Sequence, residues 1–171
     1  MPTLAQEIGE STHCSVLLRS ARRVGLATLN DYIGLAVARG CRHYAPSFPQ
    51  FERDPGLESV SNEELVALLL LGSNEFEPTA VRCAAQLSSK CDAQNLALVA
   101  QKERVGRALA YIAKQGLSHD NERTGFWSEL LNLLGDQPAV ADGKLPHWSR
   151  FVSQTGVTRD GRGIIQWLHC Q

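Results

Sequence analysis

Residues 61–89 read SNEELVALLLLGSNEFEPTAVRCAAQLSS. The apolar run from Leu65 to Leu71 is bracketed by Glu63-Glu64 and by Gly72-Ser73-Asn74. It could be a membrane element, a cofactor-binding hydrophobic box or the core of a helical protein. It falls far short of the roughly 20 apolar residues that a bilayer needs. Ser61 and Glu64 have the spacing of a capping box, in which the serine oxygen takes an orphan amide and the glutamate reaches back to the cap. Glu63 and Glu64 also suit the positive end of a helix dipole. Leu65, Leu68, Leu69 and Gly72 recur at helical spacing, and Val66, Leu70 and Leu71 widen the apolar surface. A helix apolar on most sides is a buried helix. Gly72 is placed for a left-handed C-terminal cap, and Pro78 opens the next helix where its missing N–H costs nothing. Val81, Ala84, Ala85 and Leu87 give that second helix its inner face. The stretch therefore reads as a helical hairpin with a buried first arm.

The pattern repeats downstream. Asp92 is a good N-cap for a helix through Leu96, Val99 and Ala100. Polar residues interrupt it at Gln101, Lys102 and Glu103, and it resumes with Val105, Leu109, Ile112 and Ala113 before Gly116. Two helices with a short break are expected, with one long helix over 92–115 as the alternative. Set side by side, Leu65 matches Leu96 and Leu68 matches Val99, while Arg82 matches Arg107 and Leu87 matches Ile112. Stacked hairpins of this kind build a continuous core in helical-repeat proteins. The paired helices resemble the HEAT-like style of repeat, without the signature residues of a named family.

Outward from this middle, a short helix is expected over Thr3–Ile8 and another over Ser15–Val24, with Val16, Leu17 and Leu18 on one side and Arg19, Arg22 and Arg23 on the other. Asn30-Asp31 cap a helix bearing Ile33, Leu35, Ala36 and Val37, closed by Gly40; if Gly25 does not break the chain, this third is one long bent helix. In CRHYAPSFPQFERDPGLESV, residues 41–60, Pro46, Pro49 and Pro55 forbid a continuous helix. Tyr44, Phe48 and Phe51 make that segment a strap packed across the helices. The last third holds a helix over Phe126–Leu134, a loop over Asp136–Leu145, and a short helix opened by Pro146 that carries Trp148, Phe151 and Val152. Thr158-Arg159-Asp160-Gly161 reads as a turn. The ending IIQWLHCQ is open to two readings: its branched residues allow a strand, but no second convincing strand offers a partner, which favours a terminal helix docking Ile164, Trp167 and Leu168. The expected fold is all-α: a single domain over 1–171, with seven or eight short helices and stacked hairpins in the middle.

The 171 residues carry a net charge of −1, which argues against a nucleic-acid-binding protein. Charge is uneven along the chain. Residues 54–92 hold seven acids and two bases, whereas the segment before them holds six arginines against four acids. The five cysteines match no disulfide framework, and MPTLAQEIGE has no basic start followed by an apolar stretch. Reduced thiols in a cytoplasm are the expectation.

No P-loop, dinucleotide-binding glycine fingerprint, zinc-protease helix or nucleophile elbow is present in the sequence, so no cofactor is expected. Cys41 and His43 are the candidate metal ligands, both of types that suit zinc; His13-Cys14 and His169-Cys170 complete a set only if the termini meet that loop. The plainer reading is a buried Cys41 and an exposed His43. His119, Asp120 and Glu122 are the candidate catalytic cluster, a carboxylate orienting His119 as a base; the plainer role is for Asp120 or Asn121 to cap the next helix. Arg19, Arg22, Arg23, Arg39 and Arg42 are the candidate binding face for phosphates or an acidic segment, against pairing with the protein's own acidic middle. Asp160-Gly161-Arg162-Gly163 could offer amides to an anion. The expected function is a non-enzymatic intracellular module that binds another protein or self-associates. The alternatives are a small metal-dependent or dispersed-site enzyme built on the Cys41–His43 loop, and a nucleic-acid-binding domain using the N-terminal arginines.

Overall fold

The structure, a computed structural model, describes residues 15–41, 59–71 and 76–170. The expected Thr3–Ile8 helix, His13-Cys14, the Gly72 cap and the aromatic strap with Arg42, His43, Tyr44, Phe48 and Phe51 lie outside them.

The described residues are mostly helical. Seven α-helices run in order: α1 (Val16–Arg23), α2 (Leu29–Ala38), α3 (Asn62–Leu69), α4 (Pro78–Leu87), α5 (Ala93–Glu103), α6 (Gly106–His119) and α7 (Thr124–Leu134). A strand pair, β1 (Val152–Val157) and β2 (Gly163–Trp167), follows. The fold is therefore not purely all-α.

The opening stretch folds as its chemistry dictates. Ser61 accepts from the Glu64 amide at 3.1 Å, and Glu64 accepts from the Ser61 amide at 2.9 Å. Every residue from Leu65 to Leu71 is buried. Pro78 stands in the first turn of α4, where Glu77 caps the Ala80 amide at 2.8 Å. Ala80, Ala84 and Ala85 are buried in α4, and α3 and α4 pack closely against each other and against α2.

Asp92 caps α5 through the Asn95 amide. Its own amide donates to Glu63 at 2.9 Å, which ties the starts of α3 and α5 together. Two helices follow, as the interruption implied, but the break falls later. Gln101, Lys102 and Glu103 stay in α5, and the chain turns at Arg104, which is left-handed with φ 60°. Helix α6 does not end at Gly116 but runs on to His119. Gly116 is a contact residue inside the helix, with the Trp127 ring packed where a side chain would stand. Helices α5 and α6 each pack more extensively on α7 than on each other.

Residues 15–41 form two helices, as expected, and not one long bent helix, because α1 ends in a Schellman motif: Gly25, at φ +89°, donates to Arg22 O and Leu26 donates to Ala21 O. Leu17 and Ala21, rather than Val16 and Leu18, set the buried face of α1, and Val16 is exposed. Thr28, not Asn30-Asp31, caps α2, with Asp31 as the reciprocal member of the capping box. A second Schellman motif at Gly40 closes α2, with Cys41 donating to Ala36 O.

The ending is not a helix: Ile164–Trp167 lie in a strand and residues 168–170 in no element, Phe151-Val152 are not helical, and a single 3₁₀ turn covers Trp148–Arg150. Strands β1 and β2 pair antiparallel, Val152 opposite Trp167 and Val157 opposite Gly163, with an irregularity between Gln154 and Gly156. The turn over Thr158–Gly161 joins them, Gly161 adopting φ +81°. Phe151 and Trp167 stack at 5.3 Å, and Trp167 meets Trp127 edge-on at 5.6 Å. These aromatic contacts root the hairpin in the helical core. No described helix is long and apolar enough to cross a membrane.

Candidate functional site

The polar and sulfur-bearing side chains of interest converge where the C-terminal tail crosses the helical body. The end of α6 places Asp120 there. It is 2% exposed. Its Oδ2 accepts from Trp127 Nε1 at 2.8 Å and lies 3.0 Å from His169 Nε2. The other ring nitrogen of His169 lies 3.7 Å from Glu122, which also accepts from Gln166 at 3.2 Å. Arg123 donates to Ser88 O at 2.8 Å and sits 3.9 Å over the Phe126 ring. Burial lowers the pKa of its guanidinium from the usual value, against the pull of Asp120 and Cys91.

The sulfur groups lie alongside. The Schellman motif closing α2 delivers Cys41 to the interior, and the tail brings Cys170 to it, Sγ to Sγ 3.4 Å apart. The Cys170 amide donates to Ser89 Oγ at 3.2 Å. Cys41 contacts Cys83 O at 3.6 Å, and Cys91 bonds back to Leu87 O at 3.5 Å. The Cys41 thiol is favoured toward ionisation by its bond with Cys170, but Cys83 and burial outweigh this and push it up. The bond with Cys41, then burial, pushes the Cys170 thiol up as well.

The sequence candidates are thus partly regrouped. Asp120 and Glu122 do flank a histidine, but it is His169, contributed from 49 residues away. His119 instead stacks on Trp148, centroids 4.3 Å apart. Neither Asp120 nor Asn121 caps α7, whose N-cap residue is Arg123. Cys41 is buried, and of the C-terminal pair Cys170 reaches it while His169 turns to Asp120 and Glu122. His43 lies outside the described residues, and among those residues no group of three or more metal-binding side chains is placed to hold a metal. Arg19, Arg22 and Arg23 are exposed on α1. Arg39 is turned away from such a face, bonding Asn62 Oδ1 at 3.1 Å and Val60 O; Arg42 is outside the described residues. The amides of Gly161 and Arg162 are used within the hairpin turn, bonding Thr158.

A small hollow between α1, α3 and α5 is lined by Leu17, Glu64, Val99, Lys102 and Glu103, and the Ser15 hydroxyl donates to Glu103 at its edge. It lies away from the tail junction. At that junction the chemistry is positional: a buried acid holds an indole and an imidazole, and through them fastens α7 and the tail to α6. Trp127 and His169 are the members that local sequence reasoning missed. The one signal for them is an acid at a helix end, since an acid buried there must find donors.

A second surface is the hairpin itself. Trp167, Ile165 and Gly163 alternate onto one face of β2, opposite Val152, Gln154 and Val157. Along that face Trp167 is 2% exposed, Ile165 46% and Val157 60%. Ile164, pointing the other way, is 45% exposed. The root of the hairpin is therefore in the core, and its outer half stands clear on both faces. Comparison with known proteins finds no family model, no curated protein and no solved structure that matches this chain.

Proposed function

We propose that the chain is a non-enzymatic helical module that binds another protein, and that the C-terminal hairpin is the docking element. The observation that carries this reading is the apolar overhang of Ile165 and Val157, continuous with buried Trp167. A two-stranded ribbon is marginal in water and gains from a third strand or a covering face. Each strand here has one neighbour, and so one unpaired edge, among the described residues. Extended segments bind such edges by main-chain hydrogen bonds, with side-chain pockets setting the choice of partner. Residues 148–167 carry Arg150, Arg159 and Arg162 against Asp160 alone. The partner segment is therefore an extended one that alternates apolar and acidic residues. The helical body serves as the rigid base that presents the hairpin.

The test is site-specific photocross-linking in cells. A cross-linker at position 165 and one at 157 should trap the same protein, and one at the exposed Asn132 of α7 should not. The trapped segment, sequenced by mass spectrometry, should be acidic and apolar, and Ile165→Asp should abolish the adduct formed from position 157. Equal trapping at all three positions defeats the proposal. A dimer mass in sedimentation that Ile165→Asp removes would assign the surface to self-association instead.

A further inference from the structure

We propose that Cys41 and Cys170 form a redox modification site, a dithiol that closes to a disulfide and clamps the C-terminal tail to the end of α2. The inference is independent of the docking role of the hairpin. Their sulfurs are 3.4 Å apart, and a disulfide needs about 2.05 Å. Phe151 O and Asp120 hold Leu168 and His169, so the approach falls to Cys170 itself, which lies outside any helix or strand and whose amide bonds the Ser89 hydroxyl.

The two thiols differ in access. Cys41 is fully buried, whereas Cys170 is partly exposed. That asymmetry sets an order of events with a small-molecule disulfide as the oxidant. Cys170 loses its proton and attacks one sulfur of the oxidant; a mixed disulfide forms, and the first small thiolate leaves and takes up a proton. Cys41 then attacks the Cys170 sulfur. The protein disulfide forms, the mixed disulfide breaks, and the second small thiolate leaves and takes up the Cys41 proton. Two protein thiols lose two electrons and two protons, and one small disulfide becomes two thiols. The bond between the two thiols and burial hold Cys170 in its thiol form. For Cys41 that bond favours ionisation, but Cys83 and burial outweigh it, and the opposing pull of Lys90 on both thiols is smaller, so the exchange should quicken as pH rises.

Closing the bond joins residues 129 positions apart. A cross-link over so long a loop restricts the unfolded chain and should raise the midpoint of thermal unfolding by about 5–10 °C. The test uses the full chain, freed of reductant and incubated with oxidised glutathione, then alkylated and digested without reduction. The expected result is a linked peptide pair containing Cys41 and Cys170, a rise in the unfolding midpoint, and return of both to the starting state with dithiothreitol. Cys170→Ser, a change on the tail, should keep the midpoint of the reduced protein and show neither effect. A lasting glutathione adduct on Cys170 with Cys41 still open to alkylation would overturn the proposal. So would a link through Cys14, Cys83 or Cys91, or complete alkylation of all the cysteines. Mapping on the unsubstituted protein decides the matter even if a variant folds poorly.

Discussion

Two glycines in neighbouring helices show how much one missing methyl group decides. A Cβ added at Gly116 would stand 2.4–2.7 Å from three atoms of the Trp127 ring, whereas one at Gly125 meets nothing within 4 Å. Alanine is favoured over glycine in a helix interior by about 1 kcal/mol. At position 125 that gain is free, so Gly125→Ala should stabilise by several tenths of a kcal/mol. At 116 the indole is itself wedged by Phe126, Trp167 and its bond to Asp120, and cannot step aside cheaply. Overpacking costs about 1–3 kcal/mol, so Gly116→Ala should destabilise by about 2 kcal/mol in urea melts. Equal effects at the two positions would contradict this packing. Asp31 illustrates a charge in the same way. Its carboxylate accepts from the Ala27 and Thr28 amides at 2.9 and 2.8 Å. Slight burial opposes its charge, but these bonds prevail and lower its pKa from 3.8. A depressed carboxyl contributes stability above its unfolded pKa and loses it as pH falls through the folded one. Asp31→Ala should therefore cost about 1 kcal/mol at neutral pH, and the gap should narrow below about pH 4, as read from urea midpoints across a pH series.

Among the elements, those written by local chemistry were legible and those made by distant contacts were not. Ser61 with Glu64, Pro78 and Asp92 each mark a helix start within one turn, and all three fall where the sequence places them. The α5–α6 break moved because Arg104 takes a left-handed conformation without being glycine. The terminal hairpin is not decided by the local sequence because β1, VSQTGV, carries little apolar alternation; its pairing depends on the burial of Phe151 and Trp167 beside Trp127, a contact spanning 40 positions. The hairpin should accordingly behave as two halves. Trp167→Ala empties the core end and should cost about 3–5 kcal/mol, in the range expected for Leu68→Ala in the middle of α3. Ile165→Asp, two residues away on the same face, should shift stability by less than about 1 kcal/mol. Thermal and urea unfolding of the three variants would check the contrast, and a large loss for Ile165→Asp would mean that its face is packed rather than open.

At the scale of the whole molecule, the decisive feature is that one buried acid joins three parts of the chain. Asp120 ends α6, accepts a hydrogen bond from the Trp127 indole N–H of α7 and holds His169 of the tail. The acid was visible in the sequence as part of SHDNER, but its partner was not, because a histidine one position away and one 49 positions away are indistinguishable until the hairpin turns the chain back. Removing the carboxylate leaves a buried indole N–H without its acceptor, which costs about 1–3 kcal/mol, and releases the tail. The consequences should differ by region. Helix α3, buried along its apolar run and capped at both members of its box, should exchange its amide hydrogens only by global opening. The outer hairpin, exposed on both faces, should exchange by local opening. In Asp120→Ala the amides of β2 and the tail should lose protection by more than the global loss of stability explains, while those of α3 follow the global loss alone. Asp120→Asn keeps an acceptor for Trp127 and should lie between the two. Hydrogen exchange read by mass spectrometry on all three proteins separates these outcomes. A uniform loss across α3 and the tail would show that the junction stabilises the fold as one unit and does not specifically fasten the hairpin.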